Sequence, residues 1–184
     1  MHSTLPARGR SLAVATLAAV LLGAPAAAAN APTGGFTAEP APSAAAPVAG
    51  AALNADERTA VAPGGAPEEV LAAVAAANRI TRKPYKWGGG HGRWRDSGYD
   101  CSGTVSYVLH AARLLARSRD STGLMSFGQR GAGEWITIHS NAGHAYMVIA
   151  GLRFDTSGSG EDGPRWRPEP RSRRGYVRRH PAGL

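Results

Sequence analysis

The sequence predicts an α+β domain in which helices come first and an antiparallel sheet packs against them. Two observations carry this prediction. Val70, Leu71, Val74 and Ala77 recur at helical spacing, as do Val105, Val108, Leu109 and Ala112 further on. Short apolar runs follow at Trp135–His139, His144–Ala150 and Leu152–Thr156, and Asn141-Ala142-Gly143 reads as a turn between the first two. Helical periodicity followed by closely spaced strand-like runs is the pattern of helices segregated to one face of a sheet.

Each element has a local reason. Arg8 and Arg10 precede the apolar run Leu12–Leu22, and Ala27-Ala28-Ala29 offers a small-residue cleavage site, so residues 1–29 read as a secretory signal peptide. The apolar run is too short to span a bilayer, and no later segment is apolar for long enough. Residues 30–64 are rich in Ala, Pro and Gly with almost no large apolar side chain, and read as a disordered linker that buries too little surface to offset its ordering entropy. One compact domain is then expected over 65–184. Pro67-Glu68-Glu69 places proline and two acids in the first turn of a helix reaching about Ile80, and Lys83-Pro84 breaks it. Tyr85-Lys86-Trp87 is a short extended piece entering Gly88-Gly89-Gly90, with loop over 91–99. The second helix is expected from about Ser102 to Ala116. Mostly loop follows over 117–134, and a Gly/Ser loop over 157–163.

The chemistry concentrates at Asp100-Cys101-Ser102-Gly103, which opens the second helix and holds the only cysteine. An exported chain with one cysteine cannot close an internal disulfide, which leaves a buried small hydrophobe, an intermolecular link or a reactive thiol. A helix start favours the last of these, because its unpaired N–H groups and partial positive charge stabilise a thiolate. A metal centre is not expected, with one cysteine and no compact His/Asp/Glu ligand spacing. No cofactor is called for.

A thiolate needs a base, and six histidines are available. His2 leaves with the signal. His110 follows Cys101 on the same helix, and nine steps of about 100° put it on the opposite face, about 13 Å along the axis. His180 lies in a basic tail. His144 leads the most apolar strand, where an imidazole needs a reason to be. His139, ending the preceding strand, competes with it, and His91 is placed to line the cleft. Asp155 is the best orienting partner for His144. A two-residue turn at Ala150-Gly151 would set Asp155 opposite Tyr146, on the same face as His144 and diagonal to it. A three-residue loop would flip it to the other face.

With these residues in place, the chain resembles the NlpC-type cell-wall cysteine peptidases, a papain-like superfamily. The matching pieces are Pro84-Tyr85-Lys86-Trp87-Gly88-Gly89, then Asp100-Cys101-Ser102-Gly103, then Gly143-His144-Ala145-Tyr146-Met147-Val148-Ile149. The likeness covers roughly residues 68–160. It implies a papain-like fold with Cys101 as nucleophile and His144 as general base. Tyr85 would support the site or its oxyanion, and Ser102 would supply a backbone N–H near the oxyanion. The family's third polar position is commonly histidine, and here Asp155 stands in its place. The implied reaction is hydrolysis of a peptidoglycan stem-peptide amide, typically between D-glutamate and a diamino acid.

Net charge is +8, and from Arg165 onward seven arginines face the single acid Glu169. Such a segment suits a polyanionic partner, and export makes an anionic cell-wall polymer the natural one. No nucleic-acid module is visible, since no aromatic platform or recognition helix accompanies the charge. The chain is therefore expected to be secreted and associated with the cell wall. Two other readings stay open: a non-catalytic wall-binding module resting on the arginines, and an acyltransferase using the same Cys–His pair.

Overall fold

A computed structural model describes residues 50–158, 163–168 and 170–184. The signal segment and residues 30–49 lie outside them, as does most of the Gly/Ser loop. Among the described residues the architecture is α+β, with three helices, a two-stranded hairpin and a six-stranded antiparallel sheet.

Two helices build one layer. The first, α1 (Glu68–Ile80), starts after Pro67 with Glu68 and Glu69 in its first turn. It buries Val70, Ala73, Val74, Ala77 and Ile80, whereas Leu71, expected on that face, is 47 % exposed. The second, α2 (Cys101–Ala111), is buried from Ser102 to Leu109, so it is a central helix rather than an amphipathic surface one. It ends earlier than the expected Ala116. Arg113 adopts φ 61°, and the Arg113 and Leu114 amides donate to the His110 and Leu109 carbonyls at 2.9 and 2.8 Å. This double closure is a Schellman cap with arginine where glycine usually sits, which is why composition did not announce it.

The sheet has strands β3 (Gln129–Arg130), β4 (Ile136–Asn141), β5 (His144–Ile149), β6 (Leu152–Asp155), β7 (Arg165–Arg167) and β8 (Val177–His180), in the order β3-β8-β4-β5-β6-β7. Ala145, Met147 and Ile149 of β5 join the core with Val105, Val108 and Leu109 of α2. Alternation sends His144, Tyr146 and Val148 to the other face. The β5–β6 hairpin has the two-residue loop Ala150-Gly151, with φ 45° and 82°, and pairs Ile149 with Leu152 and Met147 with Phe154. One step further, Asp155 falls opposite Tyr146, the register on which its role depends.

The structure differs from the sequence reading, or adds to it, in three segments. Residues 50–64 are not all linker: β1 (Ala52–Leu53) and β2 (Ala60–Val61) form a hairpin held to α1 by Asn78, which bonds both the N–H and the C=O of Ala60. Small side chains can be sealed by backbone pairing and one amide, so their scarcity of apolar bulk misled. The stretch 117–134 contains a short helix, α3 (Ser121–Leu124), capped by Asp120, as well as β3. The arginine-rich end supplies the sheet strands β7 and β8; Arg167 is buried and Arg179 donates to the Met125 carbonyl at 2.6 Å.

Candidate active site

The Gly-rich loop and the start of α2 are locked together by Asp100. Its Oδ1 accepts from the Gly103 amide at 2.7 Å as the helix cap, and its Oδ2 accepts from the Gly88 amide at 3.0 Å. The Asp100 amide in turn donates to the Gly89 carbonyl at 3.2 Å. A side chain at Gly103 would strike that carbonyl, so glycine is required there for close approach rather than for a turn. The cap takes the Gly103 amide, and the Thr104 amide donates to the Asp100 carbonyl, leaving those of Cys101 and Ser102 uncapped. Both residues line a cavity of about 360 Å³, together with Tyr85, Trp87, His91 and Asp120.

Cys101 is partly buried, and its thiol lies within hydrogen-bonding reach of the His144 ring and the Ala145 amide. Burial opposes ionisation, but those two hydrogen bonds and the charge of His144 outweigh it and lower the thiol below its ordinary value. His144 Nε2 meets Asp155 Oδ1 at 2.9 Å, which leaves Nδ1 as the nitrogen for the sulfur. Burial would lower His144, yet the bonds to Asp155 and Cys101 raise it to about 9. The same contact lowers the thiol and raises the imidazole, so each partner favours the charged form of the other, thiolate beside imidazolium.

The Asp155 side chain is fully buried. Burial opposes its charge, and the His144 bond, the Ser157 amide at 3.0 Å and the Arg171 guanidinium at 2.9 Å keep it ionised below the usual carboxylate range. Arg171 also bonds the Tyr176 hydroxyl at 3.0 Å, and Tyr176 stands edge-on to both His144 and Tyr146. These supports went unseen in the sequence because Arg171 and Tyr176 sit in what read as a basic tail. A partner sixteen residues from Asp155, reached across a loop, leaves no periodic signal.

The other predicted residues fall as follows. Ser102 lines the cavity, its hydroxyl engaged with Asp100 and its amide uncapped. Tyr85 is 40 % exposed at the same cavity and bridges Tyr99. His139 is not with the thiol: it is buried, stacked on Tyr146 with ring centroids 4.6 Å apart, and lowered to about 4 by burial and nearby arginines. His91 Nε2 contacts Asp100 and Ser102 at 3.1 Å each. Asn141, in the predicted turn, spends its side-chain oxygen on the Gly143 and His144 amides between β4 and β5.

This geometry predicts the pH response. A thiolate–imidazolium pair exists above the Cys101 pKa and below that of His144, so kcat/KM falls as pH rises through about 9. Asp155→Ala, and the isosteric Asp155→Asn, are expected to lower kcat by about 10²-fold and to move that basic limb to lower pH, because the strongest support of the imidazolium is gone. A pH–rate profile of each variant checks this. An unmoved limb would remove Asp155 from the orienting role.

No protein-family model matches the chain, and no curated protein matches it in sequence.

Proposed function

We infer that the protein is a secreted, wall-associated cysteine peptidase of NlpC type, papain-like in fold, that hydrolyses an amide of the peptidoglycan stem peptide. The observation that carries this reading is the hydrogen-bonded chain from Cys101 through His144 to Asp155, with the sulfur at a helix start beside an open cavity. In the proposed reaction Cys101 Sγ attacks the amide carbonyl, forming a C–S bond. The uncapped Cys101 and Ser102 amides stabilise the oxyanion, with Tyr85 at its side. His144 gives its proton to the leaving amine as the C–N bond breaks, leaving a thioester on Cys101. Water, deprotonated by His144, then releases the acid and restores the thiol pair.

The cavity suits such a substrate. Asp120 presents an exposed carboxylate to it, a partner for the amine of a diamino acid, and Trp87 is 86 % exposed at its rim. Exposed arginines of the C-terminal segment would hold the enzyme on an anionic wall polymer.

The test is digestion of purified sacculi by the full chain, read as free amino groups, since each cut amide liberates one. Amine release by the wild type and none by Cys101→Ala is the expected result. Sacculus binding by both proteins without amine release would establish the non-catalytic module instead. New cross-links in place of free amines would establish the acyltransferase.

A further inference from the structure

The sheet face turned away from α1 and α2 carries a second cavity, of about 340 Å³, that does not include Cys101. His139 and Tyr146 contribute its floor, and Arg153, Arg171, Arg173 and Arg178 stand around it. Among the described residues no acidic side chain lines it. Among the described residues, not all of these cations have a partner within the fold. Arg171 is held by Asp155, and Arg153 Nε stands 3.8 Å from the same carboxylate without a hydrogen bond. The Arg173 and Arg178 guanidinium groups are exposed residues with no side-chain hydrogen bond or ion pair among the described residues.

A polar atom also waits there. His139 is 97 % buried in complement to its 3 % exposure, and its Nδ1 has no hydrogen-bond partner. Buried polar atoms are ordinarily satisfied, and this unpartnered one belongs to a residue that lines the cavity. Burial first, and the charges of Arg173 and Arg178 after it, hold that ring neutral, able to donate one hydrogen bond without adding charge.

We propose that this cavity is a phosphate-binding site, formed by Arg153, Arg173, Arg178 and His139 and separate from the Cys101 cleft. Convergent guanidinium groups are matched by a phosphate group, which offers several oxygens and up to two charges. A lone carboxylate has two oxygens and one charge, enough for a single guanidinium. The phosphate could be a free ion or monoester, or the phosphodiester of a polymer. The chemistry at the arginines is shared.

Isothermal titration of the full chain at constant ionic strength tests the site, with inorganic phosphate, methyl phosphate, dimethyl phosphate and acetate as probes. Phosphate is expected to bind saturably to the wild type and to Cys101→Ala alike. Arg173→Gln/Arg178→Gln, which alters exposed side chains only, should weaken it at least tenfold. Methyl phosphate binding more tightly than dimethyl phosphate assigns the site to monoesters, and equal binding assigns it to polymer diesters. Absence of saturable phosphate binding, unchanged affinity in the double variant, or acetate binding as tightly as phosphate overturns the proposal.

Discussion

Cys101→Ala is expected to reduce turnover on the order of 10⁴-fold while leaving the melting temperature close to that of the wild type. The sulfur is only partly buried, so its loss removes little packing. What it removes is the nucleophile, and nothing else can substitute because the chain has one cysteine. His144→Ala should come close to the same loss, since the thiolate depends on that ring and the leaving amine needs its proton. The two residues act as a unit, so the double variant should be little worse than either single one. Amine release from sacculi and a thermal melt, run side by side, read both halves of the expectation. A Cys101→Ala protein that still turns over would place the chemistry elsewhere.

Gly103→Ala has the next largest expected effect, and it acts through backbone rather than chemistry. An added Cβ would enter the space of the Gly89 carbonyl and sit 3.1 Å from Asp100 Oδ1. Neither the helix start nor the Gly-rich loop can yield without loosening the Asp100 contacts that join them. Overpacking of this kind costs about 1–3 kcal/mol, a fall in Tm of roughly 5–10 °C. Activity should fall further than stability, because the displacement moves Cys101 relative to His144, and a shift of about 1 Å can cost about 10²-fold. Gly92→Ala is the control, since a Cβ there meets nothing within 4 Å. Equal effects of the two substitutions would show that the close approach at Gly103 does not position the thiol.

How much of this was legible beforehand differs between the site and its surroundings. Cys101, His144 and Asp155 could be brought together on paper because two local features govern the geometry: a capped helix start and a two-residue hairpin. Both leave signatures within a few residues. The short loop at Ala150-Gly151 decides which face Asp155 occupies, and the structure has that loop. Arg171 and Tyr176 were not legible, because their contacts depend on how β7, β8 and the intervening chain return across the sheet. Charge itself concealed β7 and β8: Arg165-Trp166-Arg167 and Val177-Arg178-Arg179-His180 look like solvent-facing tail. Trp166 nonetheless reaches Asn78 at 2.8 Å and packs on Phe154. The β1–β2 hairpin was hidden for the opposite reason, since alanines give neither strand periodicity nor apolar bulk.

The most direct test of the account is mass spectrometry of defined muropeptides incubated with the full chain and quenched in acid, beside a Cys101→Ala control. Two new fragments from one stem-peptide amide are expected with the wild type alone, together with an acyl adduct on the peptide containing Cys101. Intact muropeptides with the wild type, or the same fragments from Cys101→Ala, would contradict it.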